Sequence, residues 1–240
     1  MTKIRLYLKQ NKIKANDLIT VDGKDFSYLI KVMRKKINDT ICVFNGIDGE
    51  FIGEIVTINK KDLQICLTKK IAELEILPKI TLAFAPVKNV RIDFVAAKSC
   101  EMGVVNFCPI ITQHTIVKKI NQERFLANIK EACEQCGRND MPYLQNIVKL
   151  NDLWRQNNEN KIYILCDESK KVNKVSKDLF GLNLKNKEII IIIGPEGGFS
   201  EEEFLTMRAI KNLYSISLGK RILRADTATI SALALIQENI

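Results

Sequence analysis

An α/β chain with a parallel sheet, preceded by a small antiparallel β-barrel, is the fold class the sequence predicts. Three observations carry it. Ile189–Ile193 form an unbroken apolar run that stops at Gly194-Pro195. Strand, glycine loop and helix are then repeated between Tyr214 and Gln237. Near residues 72–78 the texture changes from short strands with tight turns to βα alternation. Five consecutive isoleucines cannot alternate polar and apolar faces, so they suit a central parallel strand covered on both sides.

In the amino-terminal part, Ile41–Phe44, Glu50–Ile58 and Leu63–Leu67 read as short strands. Asn45-Gly46, Asp48-Gly49 and Asn59-Lys60-Lys61-Asp62 separate them as turns, the pattern of a small antiparallel barrel. After Glu73–Pro78 the elements alternate. Lys79–Ala85 reads as a strand and Val90–Met102 as a helix stopped by Gly103; Val104–Ile110 is a strand and Gln122–Cys136 a helix stopped by Gly137. Lys161–Cys166 is a further strand, ending at Asp167-Glu168. The expected domains are residues 1–72 and 73–240.

The isoleucine strand ends because Gly194 is permissive in φ and Pro195 lacks an amide hydrogen. Gly197 and Gly198 let backbone approach a ligand with no Cβ in the way. Ser200-Glu201-Glu202-Glu203 matches a capping box, so a helix should start there and run towards Asn212. The grammar repeats with a strand over Tyr214–Leu218, a loop over Gly219–Ala225 and a helix over Asp226–Gln237, capped by Asp226 or Thr227. Two loops opening on one sheet edge describe a small-molecule site. A phosphate-cradling loop would need Gly-x4-Gly-Lys-Ser/Thr, and a dinucleotide fold Gly-x-Gly-x-x-Gly; neither is present. Taken alone, Gly-Pro-Glu-Gly-Gly reads equally well as a tight turn.

Ile193-Gly194-Pro195-Glu196-Gly197-Gly198-Phe199-Ser200 with Leu218-Gly219-x-Arg221-Ile222-Leu223-Arg224-x-x-Thr227-Ala228 resembles the 16S ribosomal RNA (uracil-N3)-methyltransferase family of the SPOUT class. Upstream, Glu134-Gln135-Cys136-Gly137-Arg138 is similar to that family's Glu-Gln-x-Gly-Arg helix end, and Lys98-Ser99-Cys100-Glu101-Met102-Gly103-Val104 to its Lys-x-x-Glu-Leu-Gly-Val segment. The resemblance implies a parallel sheet whose last segments thread a loop into a trefoil knot, behind a PUA-like RNA-binding barrel. It implies S-adenosylmethionine held by Gly194, Pro195, Glu196, Gly197 and Gly198 in one loop and by Leu218, Gly219, Ile222 and Leu223 in the other. Ile222 and Leu223 would flank the adenine, or else pack as knot core. A homodimer is implied as well. Tyr28 departs from the family's histidine before the Val32-Met33-Arg34 stretch, and Thr112-Gln113-His114-Thr115 departs from Thr-Glu-Arg-Ser.

Composition agrees with a globular enzyme: 240 residues, 46% of them hydrophobic, are enough for one large or two modest domains. No apolar stretch reaches the roughly 20 residues of a membrane span, and no signal-peptide pattern opens the chain, so a soluble cytoplasmic protein is expected. Seven cysteines, an odd number, suit a reducing compartment. Cys133-x-x-Cys136 lacks a second Cys/His pair and His114 is the sole histidine, so no metal site is expected. Of the net charge of +9, residues 1–70 supply 14 Lys and Arg against 8 Asp and Glu, or 14 − 8 = +6. The Lys31-Val32-Met33-Arg34-Lys35-Lys36 cluster is either a solvated face or a phosphate-contacting patch. With Arg5 of an Arg-x-aromatic element that the family shares, Lys31, Arg34 and Lys35 are the RNA-binding candidates, and 16S ribosomal RNA or the small subunit is the expected partner.

Methylation at N3 of uracil requires loss of the N3 proton, which a general base or a nearby cation would assist. Arg224 and Arg138 are the candidates for electrostatic work, and Asp226 and Glu196 the candidate carboxylates. Each has a structural alternative: Asp226 as a helix cap, Glu196 as a loop tie, Arg138 as a partner of Glu134. His114 reads as a surface or structural histidine. A SPOUT methyltransferase for another RNA, and a non-catalytic ribosome-assembly factor, are the competing functions; the intact glycines at 194, 197, 198 and 219 oppose the second.

Overall fold

The computed structural model describes residues 4–10, 12–87, 92–155, 157–167 and 184–240. Positions 90 and 91 of the expected second-domain helix, and Glu168 after the Lys161–Cys166 strand, lie outside them. The chain forms two compact units, Met1–Ile76 with Cys133–Met141, and Leu77–Ala132 with Pro142–Ile240.

In the first unit lie β1 (Arg5–Tyr7), β2 (Leu18–Asp22), a short α1 (Gly23–Ser27), β3 (Thr40–Phe44), β4 (Glu50–Ile58) and β5 (Asp62–Ala72). The sheet order is β1-β3-β4-β5-β2. Alternation builds the core: Leu63, Ile65 and Leu67 point inward beside Val43 and Ile55, all fully buried. Register shifts at Glu50/Phe51, Ile52/Gly53 and Ile55/Thr57 mark bulges, which bend and curl such a sheet. The structure corrects the antiparallel reading at one edge, where β1 runs parallel to β3. Strand β5 also continues to Ala72, past the expected end at Leu67. Lys69 and Lys70 break the apolar alternation there, yet their backbone still pairs with Ile52 and Phe51. After α1 the chain passes through a π-helical turn, Tyr28–Val32, and Arg34 sits at φ +54°.

The second unit contains β6 (Ile80–Phe84), α2 (Ile92–Glu101), β7 (Asn106–Ile111), most of α3 (Gln122–Cys136), β8 (Tyr143–Leu144), β9 (Val148–Lys149), β10 (Lys161–Cys166), β11 (Glu188–Ile193), α4 (Glu201–Arg208), β12 (Leu213–Ile216) and α5 (Ala225–Gln237). Its sheet runs β12-β10-β11-β6-β7-β8, with β9 also on β7, and each of these pairings is parallel. None of Ile189–Ile193 is more than 6% exposed, so the central strand is covered on both faces as its composition requires. Each such isoleucine contributes about 1.5–3 kcal/mol relative to an exposed one.

Two expected boundaries move. Helix α4 stops at Arg208, because a turn before β12 takes up the residues to Asn212. Helix α5 begins at Ala225 with Arg224 in the capping position and no side-chain cap, rather than being capped by Asp226 or Thr227. Asp226 lies inside the first turn, where its charge still favours the helix dipole.

Candidate functional site

Parallel pairing decides where the loops go. Ile216, Cys166, Ile193 and Phe84 stand in register across four neighbouring strands, so the segments after β12, β10, β11 and β6 leave the sheet on one edge. There a cavity of about 540 Å³ opens, within the range of small-molecule sites. Gly194, Pro195, Glu196, Gly198 and Phe199 form one wall, and Leu218, Ile222, Leu223 and Arg224 the other. Cys166 and Asp167 lie between them at the end of β10, and Ala225 and Ala228 of α5 complete the lining.

The first wall is a tight turn: the Gly198 N–H donates to Pro195 O at 2.9 Å, with Gly198 at φ +64°. Gly194 is required for a different reason. A Cβ there would lie 2.7 Å from the Phe199 ring, which folds back over it and meets Phe204 edge-on with centroids 5.9 Å apart. Helix α4 starts with the complete capping box, Ser200 Oγ accepting from Glu203 N and Glu203 Oε2 from Ser200 N. In the second wall Gly219 sits at φ +119°. Ile222 is 93% exposed, which excludes the core-packing reading and leaves an apolar side chain on the cavity rim.

Gly197 and Gly219 belong to these loops without lining the cavity. Gly197 turns its carbonyl to His114, whose Nδ1 donates to it at 2.8 Å. Sequence reasoning did not connect His114 to the loop, because the contact spans 83 positions and depends on β7 lying two strands from β11. Cys166 and Asp167 were also not singled out; only their place at the end of a strand in this sheet marks them.

Of the four electrostatic candidates, the structure brings two to the cavity. Arg224 lines it with an exposed side chain, and Glu196 lines it from the opposite loop. Asp226 is half-buried, and its Oδ1 accepts from Thr227 N at 2.7 Å. Arg138 belongs to the first unit. It is 6% exposed and donates through Nε and Nη2 to the two oxygens of Asp140, at 2.7 and 2.6 Å. Among the basic candidates, Lys31 and Arg34 are exposed, while Lys35 is half-buried and donates to Thr40 O. Arg5 is internal: its guanidinium pairs with Glu50, donates to the carbonyls of Cys133 and Arg138, and lies 4.6 Å from the centre of the Phe44 ring.

Burial pushes the Cys166 thiol up to about 12, with the Asp167 charge adding to it, and pushes Cys108 up to about 11. The thiolate is the reactive form. At pH 7.5, iodoacetamide should therefore modify exposed Cys136 well before Cys166, which lines the cavity at intermediate exposure with its thiol held protonated, as peptide mass spectrometry would read. Fast labelling of Cys166 would contradict this. Among the described residues no group of three or more His, Cys, Asp and Glu converges as a metal site, and no helix is long and apolar enough to cross a membrane.

Residues 75–237 match the model of an RNA methyltransferase domain, and residues 21–66 that of an RNA methyltransferase PUA domain. The chain is 31% identical to ribosomal RNA small subunit methyltransferase E of Rickettsia conorii, covering 97% of this chain and 94% of that one. With its counterpart from Buchnera aphidicola of Acyrthosiphon pisum, identity is 33% over 97% and 92%. The Neisseria gonorrhoeae ribosomal RNA small subunit methyltransferase E, solved with S-adenosylmethionine, superposes with a TM-score of 0.83 at 25% identity, covering 98% of this chain and 97% of that one.

Proposed function

Since this chain belongs to the ribosomal RNA small subunit methyltransferase E family, we propose that it methylates N3 of a uridine in 16S ribosomal RNA with S-adenosylmethionine, acting as a cytoplasmic homodimer. The observation that carries this reading is the cavity between the Gly194–Phe199 and Leu218–Arg224 segments. Its size, its wall of glycine backbone and the exposed Ile222 on its rim suit an adenosine held by main-chain groups and an apolar contact on the ring. When bound there, S-adenosylmethionine supplies a methyl group on a sulfonium centre.

The protein's share is positioning and control of charge. The N3 proton of uracil must leave before or as the methyl arrives, and the resulting anion spreads over the ring carbonyl oxygens. Arg224 on the cavity wall is the cation placed to stabilise that charge. Glu196 lines the cavity from the other loop, as a base for the N3 proton or as a group orienting the substrate, while Asp226 supports the α5 end that carries Arg224. Arg138, held by Asp140, serves the RNA by fixing the helix end around it. In the amino-terminal unit, the exposed Lys31 and Arg34, with Lys35, offer phosphate contacts.

Calorimetric titration of the whole chain with S-adenosylmethionine should show saturable binding, and its absence would sink the enzyme reading. Mass spectrometry of 16S ribosomal RNA from a deletion strain should show one N3-methyluridine missing. Loss of a methyl group from another RNA instead would transfer the assignment to that RNA.

A further inference from the structure

We propose that His114 is a positioning residue for the cofactor loop, holding it at Gly197 from outside the cavity lining. This rests on the cofactor reading of that cavity and adds to it a residue outside the lining. The turn after β7 is internally braced: Thr112 N–H donates to Thr115 Oγ1 at 2.9 Å, the two hydroxyl oxygens are 2.8 Å apart, and both threonines are 5% exposed. From this fixed base two bonds reach the loop after β11. Gln113 N–H donates to Glu203 Oε1 at 2.8 Å, while the other oxygen of that carboxylate closes the capping box on Ser200. His114 Nδ1–H donates to Gly197 O at 2.8 Å.

The glycine loop is thereby gripped at Gly197 and, through Glu203, at the start of α4, while Glu196 and Gly198 on either side of Gly197 face the cavity. The packing at 197 is close, so a side chain there would press on His114. A Cβ there would stand 3.2 Å from His114 Cβ, although Gly197 is outside the left-handed region and needs no glycine for conformation. Donation to a carbonyl requires the hydrogen on Nδ1, so the donor at that one position is what the loop uses. Held this way, the loop is already shaped when the ligand arrives, and less ordering opposes binding.

The test exploits the geometry of two amides. Asparagine at 114 places its NH2 where imidazole Nδ1 lies; glutamine reaches instead towards the position of Nε2. Calorimetry with S-adenosylmethionine on the full chain should give H114N within about twofold of the unsubstituted protein. H114A and H114Q should bind about three- to tenfold more weakly, the loss of one net hydrogen bond. Thermal midpoints without ligand should fall by no more than a few degrees in H114A, the effect of one exposed hydrogen bond, and the methylation rate at saturating S-adenosylmethionine should be retained in H114N and H114A alike. Unaltered affinity in H114A, or H114N as weak as H114A, overturns the inference, as does a rate lost at saturation with affinity intact. If the unsubstituted chain binds S-adenosylmethionine and H114A binds equally well, this inference alone fails. If the unsubstituted chain does not bind, the cofactor reading fails with it.

Discussion

Arg224→Ala is expected to slow single-turnover methylation of 16S ribosomal RNA by about 10²–10³-fold, the usual effect of removing one preorganised charge-stabilising donor. S-adenosylmethionine affinity should change by no more than about threefold, since one side chain of a wall otherwise made of backbone and apolar groups is removed. The asymmetry follows from where Arg224 stands. Its backbone is extended, at φ −69° and ψ 155°, and held at the first residue before α5, while its side chain is exposed on the cavity wall. A rigid root with a solvent-facing guanidinium suits a group that engages charge developing on the acceptor. Arg224→Lys should fall between, because an ammonium keeps the charge and loses the fork that spans two oxygens. Asp226→Asn should cost far less, its Oδ1 being engaged by the neighbouring Thr227 N–H. Rate and calorimetric affinity falling together would recast Arg224 as a cofactor clamp, and an unchanged rate would remove it from the chemistry.

What could be read in the residues beforehand follows a physical pattern. Features decided by local chemistry were legible. The isoleucine run could only be a doubly covered strand, the Ser200–Glu203 box starts α4, and Gly103 and Gly137 end helices at φ +78° and +92°. Most residues of the two loop sequences also line the cavity, though Gly197 and Gly219 do not. Features decided by pairing partners were not legible. Nothing in Arg5-Leu6-Tyr7 announces a parallel pairing with Cys42–Phe44, and nothing in Thr112–Thr115 announces that its histidine meets a glycine carbonyl after a strand two places away in the sheet. Arg5 shows the same divide. The Arg-x-aromatic element shared with the family suggests RNA contact for Arg5, but its partner Glu50 is brought to it by β4 pairing with β3 and β3 with β1.

That network gives the largest expected stability effect. Arg5 and Glu50 side chains are 9% and 12% exposed, their closest approach is 2.8 Å, and the same guanidinium also satisfies Cys133 O at 2.6 Å and Arg138 O at 3.1 Å. Arg5→Ala removes the cation beside a carboxylate with little solvent, and takes one donor from the carbonyls of Cys133 in α3 and of Arg138 just after it. Breaking a buried pair from one side costs about 3–5 kcal/mol, a fall of about 6–20 °C in the thermal midpoint for a chain of this size. Arg5→Lys should recover part of this, since an ammonium can neutralise Glu50 and cannot reach both carbonyls as well. Replacing both members, Arg5→Leu with Glu50→Leu, should be milder than Arg5→Ala, because no uncompensated charge then remains buried. The same substitution decides what Arg5 is for. A scaffold residue lowers the midpoint measured without RNA and loosens the Cys133–Met141 segment, which hydrogen exchange at its amides would report. A phosphate-contacting residue would leave the midpoint where it was, weaken RNA binding and flatten its salt dependence. The burial of the guanidinium predicts the first result, and the second would restore Arg5 to the RNA surface.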